Sequence, residues 1–466
     1  MPLLTEDKTE VGSYFISNYP PFSFWRPDQL SAARGVLESP PKPGTPLGLY
    51  LHIPFCRKRC KFCYFRVYTD KAARDIETYV EALAREVELY SRLPIAGDRP
   101  LDFVYFGGGT PSYLSVRQLE SLVQRLDAAM PWRTAKEVTF ECEPGTLTEP
   151  KVRSLRQLGI TRLSLGVENF SDAILEENGR AHLSAEVYRS YDWIRSSGFP
   201  QVNIDLIAGM VGETWENWRD CVRRTIELAP DSVTIYQLEL PFNTVYSQSI
   251  RGDGSPIPVA SWSTKRSWVD YAFSELEAAG YRVSSAYTLV RGQAKKGTGP
   301  ICRNGPEGAS HKLDLSPFWP ADSEHGQFLY RDSLWHGADM IGTGVASFSH
   351  VSGVHFQNVD QWDDYIGKLQ TGELPLGRAL APTQRQRLIR ELILQLKMGR
   401  LDAAYFQTKF GSDILSEFGN ALDLWKSEEM LDVRDGRVEL TRAGLLQVDR
   451  LLPEFFEPDH RGARYT

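Results

Sequence analysis

The sequence predicts an α/β fold: an incomplete barrel of six strand–helix units, preceded by an N-terminal arm and followed by a C-terminal helical, winged-helix-like domain. Three observations carry this expectation. Between residues 49 and 238, short β-branched or aromatic runs alternate with amphipathic helical stretches, and strand-then-helix units imply parallel strands joined by right-handed crossovers. Each predicted strand ends at a chemically loaded position: a cysteine loop after His52, then residues 107–110, Glu141, Glu168, Asp205, and Tyr236 with Gln237. Barrels build their sites at the C-terminal ends of their strands. Beyond about residue 383 the pattern changes to helices and a small hairpin.

The elements follow in order. Residues 1–48 form an arm and a linker. The aromatic segment "SYFISNYPPFSFW" is too short to fold alone and is expected to pack on something larger, and "ESPPKPGTPLG" reads as extended chain. Residues 49–290 hold the barrel, with strands "LYLHI" at 49–53, "LDFVYF" at 101–106, "EVTFEC" at 137–142, "TRLSLGV" at 161–167, "VNIDLI" at 202–207 and "SVTIYQL" at 232–238. Stretches such as "IETYVEALAREVELYSRL" carry apolar residues at helical spacing. Residues 291–380 combine a Gly-, Pro- and charge-rich segment, expected as a surface loop or lid, with a substrate-side segment. Residues 381–466 hold two helical stretches and then alternating strands around Asp435-Gly436, a hairpin signal.

Composition narrows the function. The chain has 466 residues, 42% hydrophobic and 24% charged, enough to bury a core and to exclude wholesale disorder. A net charge of -7 argues against a general nucleic-acid binder, since phosphate contacts need a basic face. It also favours a structural or substrate-covering role for the C-terminal domain over DNA binding. The most apolar stretch, "RLIRELILQL", is broken by charges, so no spanning helix is expected. "MPLLTEDKTEVGSYF" has acidic residues and no apolar core, so no secretory signal is expected. The expectation is a cytoplasmic, monomeric protein with a small-molecule substrate and without nucleic-acid or membrane partners.

Six cysteines, Cys56, Cys60, Cys63, Cys142, Cys221 and Cys302, are too sparse for a disulfide scaffold. Three fall within eight residues, in "LYLHIPFCRKRCKFCYF", with spacing Cys56-x3-Cys60-x2-Cys63. Structural zinc uses four ligands, usually in two separated pairs. No second pair exists, and His52 would be an odd fourth ligand. Closely spaced thiolates suit an iron–sulfur cluster better. Three thiolates on a cube leave one iron open to a small chelating molecule. The basic neighbours Arg57, Lys58, Arg59, Lys61 and Arg66 would favour thiolates and raise the potential of a cluster. They could equally form a docking face for an acidic electron donor or a solvated loop.

The cysteine spacing, with "YLHIPFC" leading into it, resembles the radical S-adenosylmethionine enzymes, and specifically the oxygen-independent coproporphyrinogen III oxidase family. The resemblance implies a 4Fe-4S cluster on Cys56, Cys60 and Cys63, one S-adenosylmethionine or two, and an electron donor such as flavodoxin or ferredoxin. In that family the cluster cleaves S-adenosylmethionine to a 5′-deoxyadenosyl radical that abstracts a substrate hydrogen. "GGGTPS" places Gly108, Gly109 and Thr110 where the family holds the cofactor amino group. "FECEPGT" supplies Glu141 as a cofactor contact, with Glu143 where relatives often have Asn or Asp. "RLSLGVENF" puts Glu168 where Gln is usual, "GRAH" places Arg180 near the cofactor carboxylate, and "NIDLIAGM" makes Asp205 the ribose-binding aspartate. Tyr50 is read either as a residue orienting the methionine end of the cofactor or as a core strand residue. Tyr236, Gln237 and residues 337–350 are candidates for a second cofactor or the substrate.

One position departs from the pattern. Phe65 stands two residues after Cys63, where the oxidases carry a fourth cysteine. That ending resembles heme chaperones and the methyl-transferring, cyclopropane-forming branch. The favoured expectation is therefore methyl or methylene transfer with a second S-adenosylmethionine. The alternatives are oxidative decarboxylation of coproporphyrinogen III and a non-catalytic heme chaperone. The eight histidines make no tight cluster in the sequence.

Overall fold

The structure, a computed structural model, describes residues 18–97, 99–241, 243–252, 257–292 and 328–462. Most of the expected surface loop, and Cys302 with it, lies outside the described residues. Six strands pair in parallel and in sequence order: β1 (Leu47–Ile53), β2 (Phe103–Gly108), β3 (Glu137–Cys142), β4 (Arg162–Glu168), β5 (Gln201–Ala208) and β6 (Ser232–Gln237). The helices Ala73–Ser91, Val116–Ala129, Glu149–Gln157, Ser184–Ser196 and Trp215–Leu228 alternate with them. These strands are buried over almost their whole length, β1 at every residue but Tyr50. Covering both faces of a parallel sheet requires such near-continuous apolar runs.

The helices start where side chains satisfy their free N–H groups. Ser115 accepts from the Gln118 amide while the Gln118 side chain returns to Ser115, and Thr383 and Gln386 repeat the arrangement. The helix Ala73–Ser91 buries Ile76, Tyr79, Val80, Leu83, Val87 and Tyr90, a stripe at helical spacing pressed on the sheet.

The sheet does not close. Antiparallel β7 (Tyr281–Val283) and β8 (Thr288–Arg291) follow β6 at one edge. At the other edge the structure extends the expected six-unit barrel by a seventh parallel strand, β9 (Asp339–Thr343), paired with β1. Antiparallel β10 (Phe348–Val351), β11 (Val354–Asn358) and β12 (Leu376–Leu380) continue from it. The stretch read as a substrate-side segment is thus part of the barrel sheet itself.

The arm joins this edge to the C-terminal module. Arg26 bridges to Ala379 of β12, and the Trp25 ring stacks on His355. The Tyr19 hydroxyl accepts from the Glu457 amide at 3.0 Å and meets His460 Nδ1 at 2.9 Å. In the C-terminal module, the helices Gln384–Leu396, Ala403–Phe410 and Gly419–Ser427 pack with three short strands, β13 (Arg400–Asp402), β14 (Leu431–Arg434) and β15 (Arg437–Leu440). Asp435 and Gly436 both take positive φ, 50° and 76°, as a two-residue hairpin demands. Arg442 ties the module to the helix Trp262–Ala278 through Asp270 at 2.8 Å and Glu277 at 3.2 Å.

Glu86, fully buried, fastens the turn after β9. Its carboxylate accepts from the Gly344 amide (2.8 Å), the Tyr365 hydroxyl (2.7 Å) and the Asn358 side chain (2.7 Å). Tyr79 adds a bond to the His52 carbonyl at 2.8 Å and accepts from Val345. Three donors converge on Glu86, and a glutamine offers them only one oxygen. Glu86→Gln is expected to destabilise the fold by roughly 2 kcal/mol, because a buried donor loses its acceptor. Calorimetry would show this as a lower thermal midpoint, and an unchanged midpoint would mean that other contacts hold the turn.

Candidate active site

A cavity of ≈ 640 Å³ lies at the C-terminal ends of the strands and is lined by Cys56, Cys60 and Cys63. The cysteine loop enters it from β1. Phe55, buried, packs edge-on to Tyr79 at 5.3 Å. The Cys56 amide donates to the Tyr68 carbonyl and the Tyr68 amide to the Pro54 carbonyl, so the loop is closed at its base. Further along, the Lys61 amide donates to the Asn178 carbonyl. All three cysteines are free thiols.

The described residues contain no group of three His, Cys, Asp or Glu side chains gathered around one ion position. Two donors already point at sulfur: Thr110 Oγ1 donates to Cys56 Sγ at 3.3 Å, and Arg180 Nη1 to Cys60 Sγ at 3.4 Å. Hydrogen bonds to sulfur stabilise thiolates and tune a cluster, so the residues present fit that group. As thiols, Cys56 and Cys63 are pushed up to about 11 and about 12 by burial, and iron binding must displace their protons.

The glycine turn after β2 lies against the entrance to the cysteine loop. The Gly109 amide donates to the Ile53 carbonyl at 2.9 Å, and a Cβ at Gly109 would come within 3.0 Å of the Ile53 and Phe55 carbonyl oxygens. Gly108 takes φ +115°, and a Cβ there would meet the His52 ring at 2.5 Å. The backbone approach at Gly109, and the positive φ and ring contact at Gly108, favour glycine at both positions.

The expected acids line the same cavity. Glu141 accepts from the Tyr105 hydroxyl at 2.7 Å and from the Gly108 amide at 3.1 Å, so it also braces the glycine turn. Burial pushes its carboxyl up to about 7. Asp205 accepts from Ser164 at 2.7 Å and Asn203 at 2.9 Å. Burial, reinforced by Glu168, pushes it up to about 8. Glu168 follows a register shift in β4 and takes φ 64°, an unfavourable backbone for a residue with a Cβ.

Arg180 meets Glu168 at 3.5 Å and donates to the Gly166 carbonyl at 2.8 Å. Its buried Nε has no partner among the described residues. Glu143, read as a variable cofactor-side position, pairs with buried His182 at 3.0 Å and caps the Gly145 amide. Tyr50 does not line the cysteine cavity. It borders a neighbouring one with His52, and the two are bonded at 3.2 Å. Tyr236 and Gln237 do line the cysteine cavity.

The basic loop is largely stitched to the barrel. Arg57 donates to the Gly145 carbonyl, Arg59 to the Cys63 and Asn243 carbonyls, Lys61 pairs with Glu177 and Arg66 with Asp360. Of the five, Lys58 is the exposed residue for which the structure shows no such contact.

Residues that the sequence did not single out complete the wall. Arg331, Arg390, Lys397 and Arg450 line the cavity together with Tyr287 and Asp449. Lys397 pairs with Asp449 at 2.7 Å, and the Tyr287 hydroxyl donates to the same carboxylate. Asn18 reaches the cavity from the arm. The site is thus built by the barrel, the arm and the C-terminal module together.

The model of the radical SAM superfamily matches residues 50–225. The chain is 26% identical over 424 residues to the oxygen-independent coproporphyrinogen III oxidase of Synechocystis sp., covering 88% of this chain and 85% of the relative. It is 28% identical over 425 residues to the enzyme of the same name from Pseudomonas aeruginosa, covering 90% and 85%. It is 24% identical over 399 residues to the heme chaperone HemW of Bacillus subtilis, covering 85% and 96%. The solved coproporphyrinogen III oxidase HemN from Escherichia coli shares the fold, with a TM-score of 0.74 at 22% identity, over 96% of this chain and 99% of that one. Methyl or methylene transfer, favoured on Phe65, finds no support among these relatives. The alternatives of oxidase and chaperone fit them better.

Proposed function

We propose that this chain, which belongs to the HemN-like group of radical SAM proteins, is an oxygen-independent oxidase that decarboxylates the propionate side chains of a porphyrinogen of the coproporphyrinogen III type. The observation that carries the reading is one cavity running from the three cysteines to a cationic wall of Arg331, Arg390, Lys397 and Arg450. Donor-only side chains such as these match a ligand with several carboxylates.

In this reading Cys56, Cys60 and Cys63 hold a 4Fe-4S cluster. The cluster supplies the electron for reductive cleavage of S-adenosylmethionine. Gly108, Gly109, Thr110, Glu141, Glu168, Arg180 and Asp205 hold that cofactor. Arg180 links the two sets of residues, with Nη1 on Cys60 and Nη2 on the Gly166 carbonyl beside Glu168. The acids suit a cationic ligand, since they accept hydrogen bonds and offset positive charge. Each decarboxylation takes one hydrogen atom and one electron from a propionate and releases carbon dioxide, leaving a vinyl group. The electron leaves to a one-electron acceptor.

Phe65 favours a second reading, a heme carrier without turnover. The test separates the two. Protein with reconstituted cluster is reduced anaerobically and given S-adenosylmethionine and coproporphyrinogen III. Protoporphyrinogen together with 5′-deoxyadenosine is expected. 5′-Deoxyadenosine without decarboxylation removes the oxidase reading, and heme retained without any turnover favours the carrier.

A further inference from the structure

His350 in β10 borders the cavity beside Met340, Phe348 and Arg390. Its Nδ1 lies 3.3 Å from the Ala338 carbonyl. A carbonyl oxygen only accepts, so Nδ1 carries the hydrogen, and in the neutral ring Nε2 carries a lone pair. Burial, followed by the charge of Arg390, holds the imidazole well below its usual range, so the ring is neutral near pH 7. The structure shows no hydrogen bond to Nε2 among the described residues, and the residue keeps 8% of its surface open where it borders the cavity.

The ring is fixed from behind. His355 is its cross-strand partner in β11, with ring centroids 4.9 Å apart. Trp25 stacks on His355 at 5.0 Å and 16°, and His355 Nε2 donates to the Tyr19 carbonyl at 3.0 Å. The N-terminal arm thus holds a pair of histidines whose front member presents an acceptor to the cavity.

That acceptor is chemically distinct from its surroundings. The nearby cationic side chains only donate, and Asp449 is engaged by Lys397 and Tyr287. A ligand whose carboxylates meet the cationic wall still has to satisfy any ring N–H that binding removes from water. We propose that His350 Nε2 accepts a hydrogen bond from a pyrrole-type N–H of the ligand, so that this position selects carboxylated pyrroles over other polycarboxylates. The proposal rests on the porphyrinogen reading and adds a specificity residue to it.

The test uses the holoprotein with cluster and S-adenosylmethionine, and coproporphyrinogen III as the probe in anaerobic ultrafiltration. His350→Phe keeps an aromatic ring and removes the acceptor, and His350→Gln restores an amide oxygen. His350→Phe is expected to bind the probe roughly five- to tenfold more weakly, the scale of one neutral hydrogen bond. His350→Gln is expected to recover most of the loss, and S-adenosylmethionine affinity to stay unchanged in both. Wild-type affinity in His350→Phe overturns the role of His350 and leaves the oxidase reading standing. Binding that depends on His350 without decarboxylation removes the oxidase reading and supports the role of His350. No binding of the probe by the wild-type protein overturns both. Nitrogen NMR of histidine-labelled protein gives a readout independent of the variants: an Nε2–H tautomer or an imidazolium at His350 overturns the proposal.

Discussion

Replacing Cys60 with alanine is expected to abolish S-adenosylmethionine cleavage while the chain stays folded. The thiolate is the iron ligand, and Cys60 is the one whose sulfur Arg180 approaches at 3.4 Å. In the proposed reading its loss would remove a cluster ligand, and with it the partner of a buried guanidinium. The fold does not depend on it, because the base of the loop is closed by Phe55, by the Cys56 to Tyr68 backbone bond and by Lys61 on Asn178. The expected result is an iron content at background and 5′-deoxyadenosine formation lower by at least about three orders of magnitude, on the order of 4 kcal/mol in the barrier. The thermal midpoint should stay near that of the wild-type apoprotein. Cys221→Ala is the matched control: that thiol is buried and bonded to the Phe170 amide and Asn169, away from the cavity lining, and should keep both iron and activity. A Cys60→Ala protein that binds a full cluster and cleaves the cofactor would remove the assignment.

The same contrast separates what is legible in the sequence from what only the fold brings together. Cys56, Cys60 and Cys63 are legible because their signal is local spacing. Strands β1 to β6 are legible because each is a short apolar run followed by a helical one. Strand β9 was not, since it has five residues and its partner β1 lies far away in sequence. The cationic wall was hidden for a related reason. Arg390 sits in "RLIRELILQL", where a charge reads as a solvated helix position, yet it is almost fully buried. Its role appears only when the C-terminal helices dock over the barrel mouth. The positive φ of Glu168 has no sequence signature, because glutamate rarely adopts it. Phe65 points the other way: taken alone the position suggests methyl or methylene transfer, whereas the relatives that match most of the chain are oxidases and heme chaperones.

S-adenosylmethionine binding is expected to strengthen as pH rises through neutrality. Burial pushes Glu141 up to about 7 and Asp205 up to about 8, and burial raises Glu168 as well. An acid with a raised pKa holds its proton to higher pH, so near pH 6 Glu141 and Asp205 are largely neutral. A ligand carrying sulfonium and ammonium charges favours the ionised forms, and its binding expels protons. The three acids face one another, since Glu168 and Glu141 both raise Asp205, so they titrate as a group. Each proton released strengthens binding by up to about tenfold per pH unit below the free pKa and not at all above it. The affinity should therefore climb between about pH 6 and pH 8 and level off beyond. Anaerobic calorimetry in two buffers of different ionisation enthalpy reads the protons directly. The cluster must be formed beforehand, so that the raised Cys56 and Cys63 thiols have already given up theirs. Asp205→Asn removes the acid that burial pushes up to about 8 and should end the climb at lower pH, with fewer protons released on binding. A wild-type profile that is flat across this range, or an Asp205→Asn profile identical to it, would take these carboxylates out of contact with the cofactor.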